Sequence, residues 1–341
     1  MDGYVPVIDL SATRTKAGEL LVAQAISGAC ETSGFFTVVG HGVDQDLVDR
    51  MYAVSRAFFE RPAGEKAEVA VSPGTHGLYA DAGSAAKSLG NTAPPDLNEV
   101  FLAGVRGDRP VESRAPDGNT ASPWGAVNRW PATPPEFRAV WHEYMAAMER
   151  LATDLIRLFA LALGLDRHFF DDKIDDGMST LAANYYHPLS GPPLPGQLRK
   201  GAHTDWGTLT ILYQDGAGGL EVEQKRRGWR EVPFTQGSFV VNIGDLMAFW
   251  TAGRWVSTLH RVRNPAEGRT GARISIPFFH MPRHDAPVEP LFPFSDAATE
   301  TRFRTATTPG EWYRERLAAM VGRTTYRAVP ARADGVSLVS A

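Results

Sequence analysis

Three short stretches of the chain hold residue types that could work together on one chemical problem. His203-Thr204-Asp205 leads directly into the β-prone run Thr208 to Tyr213. In an extended segment residues i and i+2 point to the same face, so an imidazole and a carboxylate would converge there. A second imidazole from another strand would complete a two-histidine, one-carboxylate facial set, which leaves three coordination positions open and suits ferrous iron. His260, inside Trp250-Thr-Ala-Gly-Arg-Trp-Val-Ser-Thr-Leu-His-Arg-Val262, is the candidate. Thirteen residues further on, Arg273-Ile274-Ser275 opens another β-prone run. The same alternation puts its guanidinium and hydroxyl on one face, where arginine can give a carboxylate a two-pronged hydrogen bond and serine one more. Such charge-assisted bonds are worth roughly 1.5–3 kcal/mol each, tenfold or more in affinity. The alternative for Arg273 alone is an ion pair on a strand surface.

The other histidines ask for less. His142 falls in a long helical run, His168 just past its end and His41 in a Gly-His-Gly turn, where satisfied or solvent-facing imidazoles are the default. A single cysteine, Cys30, excludes an intrachain disulfide and any zinc or iron–sulfur site built on several thiolates. A two-histidine, one-carboxylate zinc hydrolase is a rival, but the chain lacks a His-Glu-x-x-His segment and an obvious general base. Asp215-Gly-Ala-Gly-Gly219 follows a strand, yet no helix and no Lys-Ser/Thr come after it, so it reads as a hairpin turn and not as a phosphate cradle. A formal net charge of −4 offers no basic footprint for nucleic acid or an anionic bilayer. No apolar run approaches the roughly 20 residues that span a membrane. The opening MDGYVPVIDL lacks the basic and apolar parts of a secretory signal. The expectation is a cytoplasmic protein, monomeric or weakly homo-oligomeric, whose partner is a small molecule.

Delivering these side chains from separate strands needs a scaffold. At 341 residues, 43% of them hydrophobic, the chain can bury a large core without covalent staples. A short strand is expected at Val5 to Leu10. Helices follow, with Leu20, Leu21, Ile26 and Ala29, then Leu47, Met51, Val54 and Phe58, at helical spacing. From about Ser72 to Trp130 the chain is rich in Gly, Pro, Asp and Asn, which predicts loops with few regular elements, of the kind that lie over active sites. Thr133-Pro-Pro-Glu136 reads as a capping box for a long helix striped by Phe137, Trp141, Tyr144, Met148, Leu151, Leu155 and Phe159 and ended by Gly164. That stripe is read as core. Between Met178 and Pro282, β-prone runs such as Gly219 to Val222, Phe239 to Ile243 and Ile274 to Phe279 alternate with turn residues, which predicts a sandwich or barrel. Thr308-Pro-Gly-Glu311 is a second capping box, opening a C-terminal helix through Tyr313, Leu317 and Met320.

The order His203-x-Asp205, His260, Arg273-x-Ser275 resembles the isopenicillin N synthase-like group of iron(II)- and 2-oxoglutarate-dependent oxygenases. Supporting stretches run along nearly the whole chain: VPVIDL, Gly34-Phe-Phe, Gly40-His-Gly42, Asn184-Tyr-Tyr186, Gly218-Gly-Leu-Glu-Val222, Val240-Val-Asn-Ile-Gly-Asp245 and Arg273-Ile-Ser-Ile-Pro-Phe-Phe279. The resemblance implies a mainly β fold, a double-stranded β-helix (jelly-roll) core wrapped by helices. It divides the chain into an N-terminal mixed α/β region with substrate-covering loops (1–130), a long supporting helix (131–177), the catalytic core (178–285) and a C-terminal helical extension (286–341), all one integrated unit. His203, Asp205 and His260 match the iron ligands, and Arg273 with Ser275 the pair that binds the distal carboxylate of 2-oxoglutarate. Asn184 and Tyr186 match further co-substrate contacts. Plant members often continue Pro-Pro-Cys-Pro at this point, whereas this chain reads His187-Pro-Leu-Ser190, with His187 a loop residue.

The implied reaction consumes O2 and 2-oxoglutarate, releases succinate and CO2, and hydroxylates, desaturates or cyclises a small molecule, with ascorbate as a candidate activator. Asp205 argues against halogenation, because relatives that halogenate replace this carboxylate by a small residue. Tyr79, Phe101, Phe279 and Arg283 are the candidate substrate contacts. Two alternatives stay open on the sequence: an oxidase that, like isopenicillin N synthase, uses no 2-oxoglutarate, and a non-catalytic jelly roll that binds a small acid.

Overall fold

Strands form where β-branched and aromatic residues run together between turn residues. In chain order they are β1 Val7–Asp9, β2 Phe35–Val39, β3 Thr75–His76, β4 Leu78–Tyr79, β5 Glu99–Gly104, β6 Val127–Asn128, β7 Thr180–Tyr186, β8 Lys200–His203, β9 Leu209–Gln214, β10 Leu220–Gln224, β11 Gly228–Glu231, β12 Phe239–Ile243, β13 His260–Val262 and β14 Arg273–His280. The helices are α1 Lys16–Thr32, α2 Gln45–Phe59, α3 Ala63–Lys66, α4 Phe137–Ala162, α5 Asp171–Ile174, α6 Asp245–Trp250, α7 Ala297–Phe303 and α8 Pro309–Met320. This computed structural model describes residues 3–320 apart from 81–82, 84, 90–92, 111–122, 267–270, 295 and 304. Part of the loop-rich stretch and residues 321–341 of the expected C-terminal extension lie outside the described residues.

Two sheets face each other as a jelly roll. The larger has eight strands in the order β1-β2-β12-β9-β14-β7-β5-β4, and the smaller runs β11-β10-β13-β8. Half of the larger sheet comes from before residue 130, since β1, β2, β4 and β5 flank the four later strands. Side chains alternate between its faces. On the outer face Phe36, Ile211, Val241, Ile276 and Phe278 share one core with the α4 stripe of Trp141, Met148, Leu155 and Phe159. On the inner face Phe35, Tyr186 and Val240 pack with Leu220, Val222 and Val262 of the smaller sheet. The interior between the sheets is therefore thin, and apolar only in part.

Several expectations need correction. In α1 the buried stripe is Val22, Ile26, Ala29 and Cys30, while Leu20 and Leu21 are 54% and 67% exposed. At 100° per residue those two leucines fall off the stripe. The long helix starts at Phe137, with Glu136 at its N-cap and no side-chain cap. Thr133 is engaged elsewhere, its carbonyl accepting from Arg61 Nη1 at 2.5 Å. The loop-rich stretch contains β5, a six-residue strand of the main sheet. Asp215–Gly219 is not a hairpin, because β9 and β10 belong to different sheets. Gly218 and Gly219, at φ +75° and +88°, let the chain cross between the sheets. The C-terminal capping box forms reciprocally: Glu311 N–H donates to Thr308 Oγ1 and Thr308 N–H to Glu311 Oε2, both at 3.2 Å.

Candidate functional site

β13 and β8 are antiparallel neighbours in the smaller sheet, and their register sets His260 directly opposite His203. Their ring centroids are 4.3 Å apart. Strand β8 ends at His203, so Asp205 joins the pair through a turn and not through strand alternation. That turn is pinned by Asp245 N–H, which donates to Asp205 O at 2.8 Å. Asp205 Oδ1 then lies 3.8 Å from His203 Nε2 and 3.6 Å from His260 Nε2. The three ligating atoms sit within 4.8 Å of one another, the spacing of donors around one ion.

Each side chain is oriented by a second bond. His203 Nδ1 donates to Gly201 O at 2.8 Å and His260 Nδ1 to Thr258 O at 3.1 Å, so both Nε2 lone pairs are free. Asp205 Oδ2 accepts from Thr210 Oγ1 at 2.6 Å and Asn242 Nδ2 at 2.7 Å, which leaves Oδ1 to the centre. Burial, with the His260 ring beside it, pushes His203 down to about 3, so its imidazole is neutral and able to ligate at neutral pH. Burial opposes ionisation of Asp205, but the facing imidazoles of His260 and His203 and the bonds from Asn242 and Thr210 outweigh it and hold the carboxyl below its usual range. Two imidazoles with free Nε2 atoms and one carboxylate, grouped on one side of a point, fit a ferrous ion with open positions.

Further along the interior, Arg273 and Ser275 of β14 lie opposite Tyr186 and Asn184 of β7. Arg273 is 1% exposed. Its Nε donates to Gly218 O at 2.9 Å and its Cζ stands 4.9 Å from the centre of the Tyr186 ring, yet Nη1 and Nη2 are buried with no partner. An unpaired buried cation is costly, and an anion at those two nitrogens relieves the cost. Arg199, also buried, lies 6.0 Å from the same ring and donates from Nη2 to Gly271 O at 2.7 Å. Burial and the charge of Arg273 lower its pKa, the mark of two guanidiniums crowded together. This end of the interior therefore holds two buried guanidiniums. Arg273 lies six residues along β14 from Phe279, which faces the Asp205 partner Thr210. That is roughly 20 Å of strand. Arg273 and the Asp205 partner Thr210 therefore stand toward opposite ends of the same inner face.

Residues 177–282 match the model of the 2OG-Fe(II) oxygenase superfamily, and residues 5–133 match the one described as non-haem dioxygenase in morphine synthesis N-terminal. Over 301 residues the chain is 37% identical to validamycin A dioxygenase of Streptomyces hygroscopicus subsp. limoneus, covering 85% of this chain and 80% of that one. The chain belongs to the 2OG-Fe(II) oxygenase superfamily. This oxygenase is also 34% identical to gibberellin 20 oxidase 3 of Oryza sativa subsp. japonica, over 88% of its own length and 78% of the relative's. Among solved structures it resembles a Neurospora crassa protein in complex with alpha-KG and thymine, with a TM-score of 0.79, 28% identity and coverage of 92% and 96% of the two chains. It is an Fe(II)- and 2-oxoglutarate-dependent dioxygenase acting on a small molecule. A 2-oxoglutarate-independent oxidase and a non-catalytic jelly roll are both set aside.

The candidate substrate residues of the oxygenase divide. Strand register aligns Tyr79, Val100, Asn184, Ser275 and Gln214 in one row across the sheet, so Tyr79 shares the inner face with the Arg-Ser strand. A second row runs Thr180, Phe279, Thr210, Asn242 and Phe35, and it places partly exposed Phe279 beside the Asp205 partners. Phe101 is one residue out of phase. It points to the outer face, fully buried among Phe58, Phe137 and Trp141, and is core rather than a substrate contact. Arg283 lies beyond the end of β14, where its half-exposed side chain pairs with exposed Asp285 at 2.6 Å and donates to Asp172 O.

Sequence reasoning missed other residues that the fold brings to the site. Thr210 and Asn242 interrupt apolar strands, and a polar residue inside such a run was the available signal. Trp206 directly follows Asp205 and packs edge-on against Tyr313 of α8 at 5.2 Å. Tyr313 in turn lines a cavity with His76, Trp124 and Thr180. His76 falls in the loop-rich stretch expected to cover the substrate, whereas nothing local marks Trp124.

Proposed function

We propose that His203 and His260 through Nε2 and Asp205 through Oδ1 hold Fe(II), and that Arg273 and Ser275 receive the distal carboxylate of 2-oxoglutarate. Tyr186 underlies the guanidinium, Asn184 lies beside it, and Tyr79 and Phe279 line the way to the substrate. The observation that carries this reading is the buried Arg273 with both Nη atoms unpaired, opening into the same interior as three converging ligand atoms. When bound, iron supplies oxidation by O2 coupled to decarboxylation of 2-oxoglutarate. The chain's own residues do the rest. Thr210 and Asn242 hold Asp205 in one rotamer, the backbone carbonyls of Gly201 and Thr258 hold the imidazoles, and the apolar interior packing of Phe35, Val222 and Val240 excludes water.

Hydroxylation is the reading for the reaction, with desaturation and cyclisation as variants of the same oxidation. A small polar cavity lies beside Thr180, lined by His76, Arg106, Trp124 and Tyr313. Burial pushes His76 down to about 4, so its ring is neutral, and Arg106 is paired with Asp176 at 3.0 Å. Among the described residues no helix is long and apolar enough to cross a membrane. The enzyme is proposed to act in the cytoplasm as one integrated unit, monomeric or weakly self-associating.

The test is an anaerobic titration of the Fe(II) protein with 2-oxoglutarate, read by the visible charge-transfer band of the chelate. Succinate release is then measured with validamycin A, the compound named for the 37% identical relative, and with neutral polyols. A saturable band that is lost in His203→Ala supports the assignment. Stoichiometric iron binding with no band would refute it.

A further inference from the structure

We propose that Arg316 and Asp245 form a latch that couples the C-terminal helix α8 to the iron-bearing turn, so that metal binding and docking of α8 reinforce each other. This rests on the assignment of His203, Asp205 and His260 as the iron ligands. Both residues are positioning residues, acting through the turn and not on the reacting atoms.

The chain of contacts is short and buried. Arg316 Nη2 donates to Asp245 Oδ2 at 2.7 Å, with both side chains nearly inaccessible to water. The same Oδ2 accepts from Thr204 Oγ1 at 3.4 Å, and Thr204 stands between two of the ligands. The backbone of this segment is tied to the start of α6 by three bonds: Asp245 N–H to Asp205 O at 2.8 Å, Gly244 N–H to Thr208 O at 2.9 Å and Leu246 N–H to Gly207 O at 3.0 Å. The two segments approach so closely that a Cβ on Gly244 would lie 2.2 Å from Gly207 O. Displacing Asp245 therefore displaces Asp205.

A second route reaches the other ligand. Arg316 Nη1 donates to Ser88 O at 3.3 Å, in the turn Ala85–Leu89. Asp96, which closes that loop, accepts from Ala85 N–H and from Gly201 N–H, both at 2.9 Å. Gly201 O is the atom that orients His203. On the far side of the latch, Tyr313 sits one turn before Arg316, stands against Trp206 and forms a wall of the cavity beside Thr180. One arginine thus joins the cavity wall to the supports of two ligands.

Coupling of this kind is reciprocal: if docked α8 favours the ligand geometry that iron needs, iron must favour docked α8 by the same factor, commonly about 5–150-fold. A latch that is merely structural would not respond to metal. The experiment is hydrogen exchange of the Trp312–Leu317 amides in the full-length protein, anaerobically, with and without Fe(II) alone, beside a chelator-competition measurement of iron affinity. In the wild type, Fe(II) should slow exchange in α8 about tenfold. Arg316→Met, which keeps the stem and removes the charge, should abolish that slowing and weaken iron binding by a similar factor, and Arg316→Lys should restore part of both. The double variant Arg316→Met/Asp245→Asn removes both charges of the ion pair, so it guards against simple unfolding, and it too should lose the iron response. Wild-type exchange in α8 that ignores iron, while iron binds and the 2-oxoglutarate band forms, overturns the latch and leaves the proposed function standing. Failure of iron to bind at all overturns both.

Discussion

Replacing Arg273 should cripple 2-oxoglutarate binding while leaving iron in place. The guanidinium is held from below by Gly218 O and the Tyr186 ring, and its two Nη atoms have no protein partner. A carboxylate between them gains two charge-assisted hydrogen bonds of roughly 1.5–3 kcal/mol each, together about 3–6 kcal/mol. At about 1.4 kcal/mol per factor of ten, Arg273→Ala should raise the Kd for 2-oxoglutarate roughly a hundred- to ten-thousandfold. Arg273→Lys keeps the charge but not the fork, and it should lose about ten- to a hundredfold. The assay is the chelate band in an anaerobic titration, with Fe(II) affinity measured separately to show that the triad is intact. Thermal melting provides a second readout. Ligand at about 100 times Kd stabilises the wild type by about 2.7 kcal/mol, and that shift should vanish in the alanine variant. If Arg273→Ala binds 2-oxoglutarate within about threefold of the wild type, the unpaired nitrogens serve something else and the reasoning from burial fails.

Three further outcomes follow from the same contacts. Asn242→Leu removes the 2.7 Å bond to Asp205 Oδ2, freeing the carboxylate to turn and relieving one cause of its lowered pKa, so iron affinity should fall about ten- to a hundredfold by chelator competition. Unchanged affinity would show that Thr210 alone suffices. Burial pushes His280 from its ordinary 6.5 down to about 4, so its stabilising contribution is complete above the ordinary value and drains away as pH falls toward the lower one. The loss amounts to roughly 3 kcal/mol. His280→Asn should flatten the pH dependence of urea unfolding of the metal-free protein by one proton over that window, and parallel slopes would refute the assignment. Gly244→Ala drives a methyl into Gly207 O and should cost about 1–3 kcal/mol in denaturant unfolding while also weakening iron. Normal stability would mean that the turn yields more easily than its three backbone bonds suggest.

Sequence pattern alone was enough for features set within a few residues. Phe239–Ile243 is a strand because apolar, β-branched residues run together there, and Thr308 with Glu311 caps a helix because both partners lie within one turn. The spacing of His203, Asp205, His260, Arg273 and Ser275 was likewise visible, and the order of those types was enough to suggest the chemistry and the family. Which neighbours each residue keeps was a different matter. Phe101 and Tyr79 looked equally able to meet a substrate, but a strand's faces alternate, and a shift of one place in register separates the aromatic core from the interior. Leu20 and Leu21 lost their place in the core to Val22 because the tertiary contact, not the local spacing, selects the buried side of α1. The fork of Arg273 beside Arg199, the grip of Asn242 on Asp205 and the reach of Arg316 to Asp245 join residues far apart in sequence, 71 positions in the last case. No local periodicity encodes such pairs. The sequence by itself determined which groups could bind metal and co-substrate, and only the packing of two sheets and a C-terminal helix decided how they are oriented, paired and enclosed, because orientation depends on register and on contacts between distant segments.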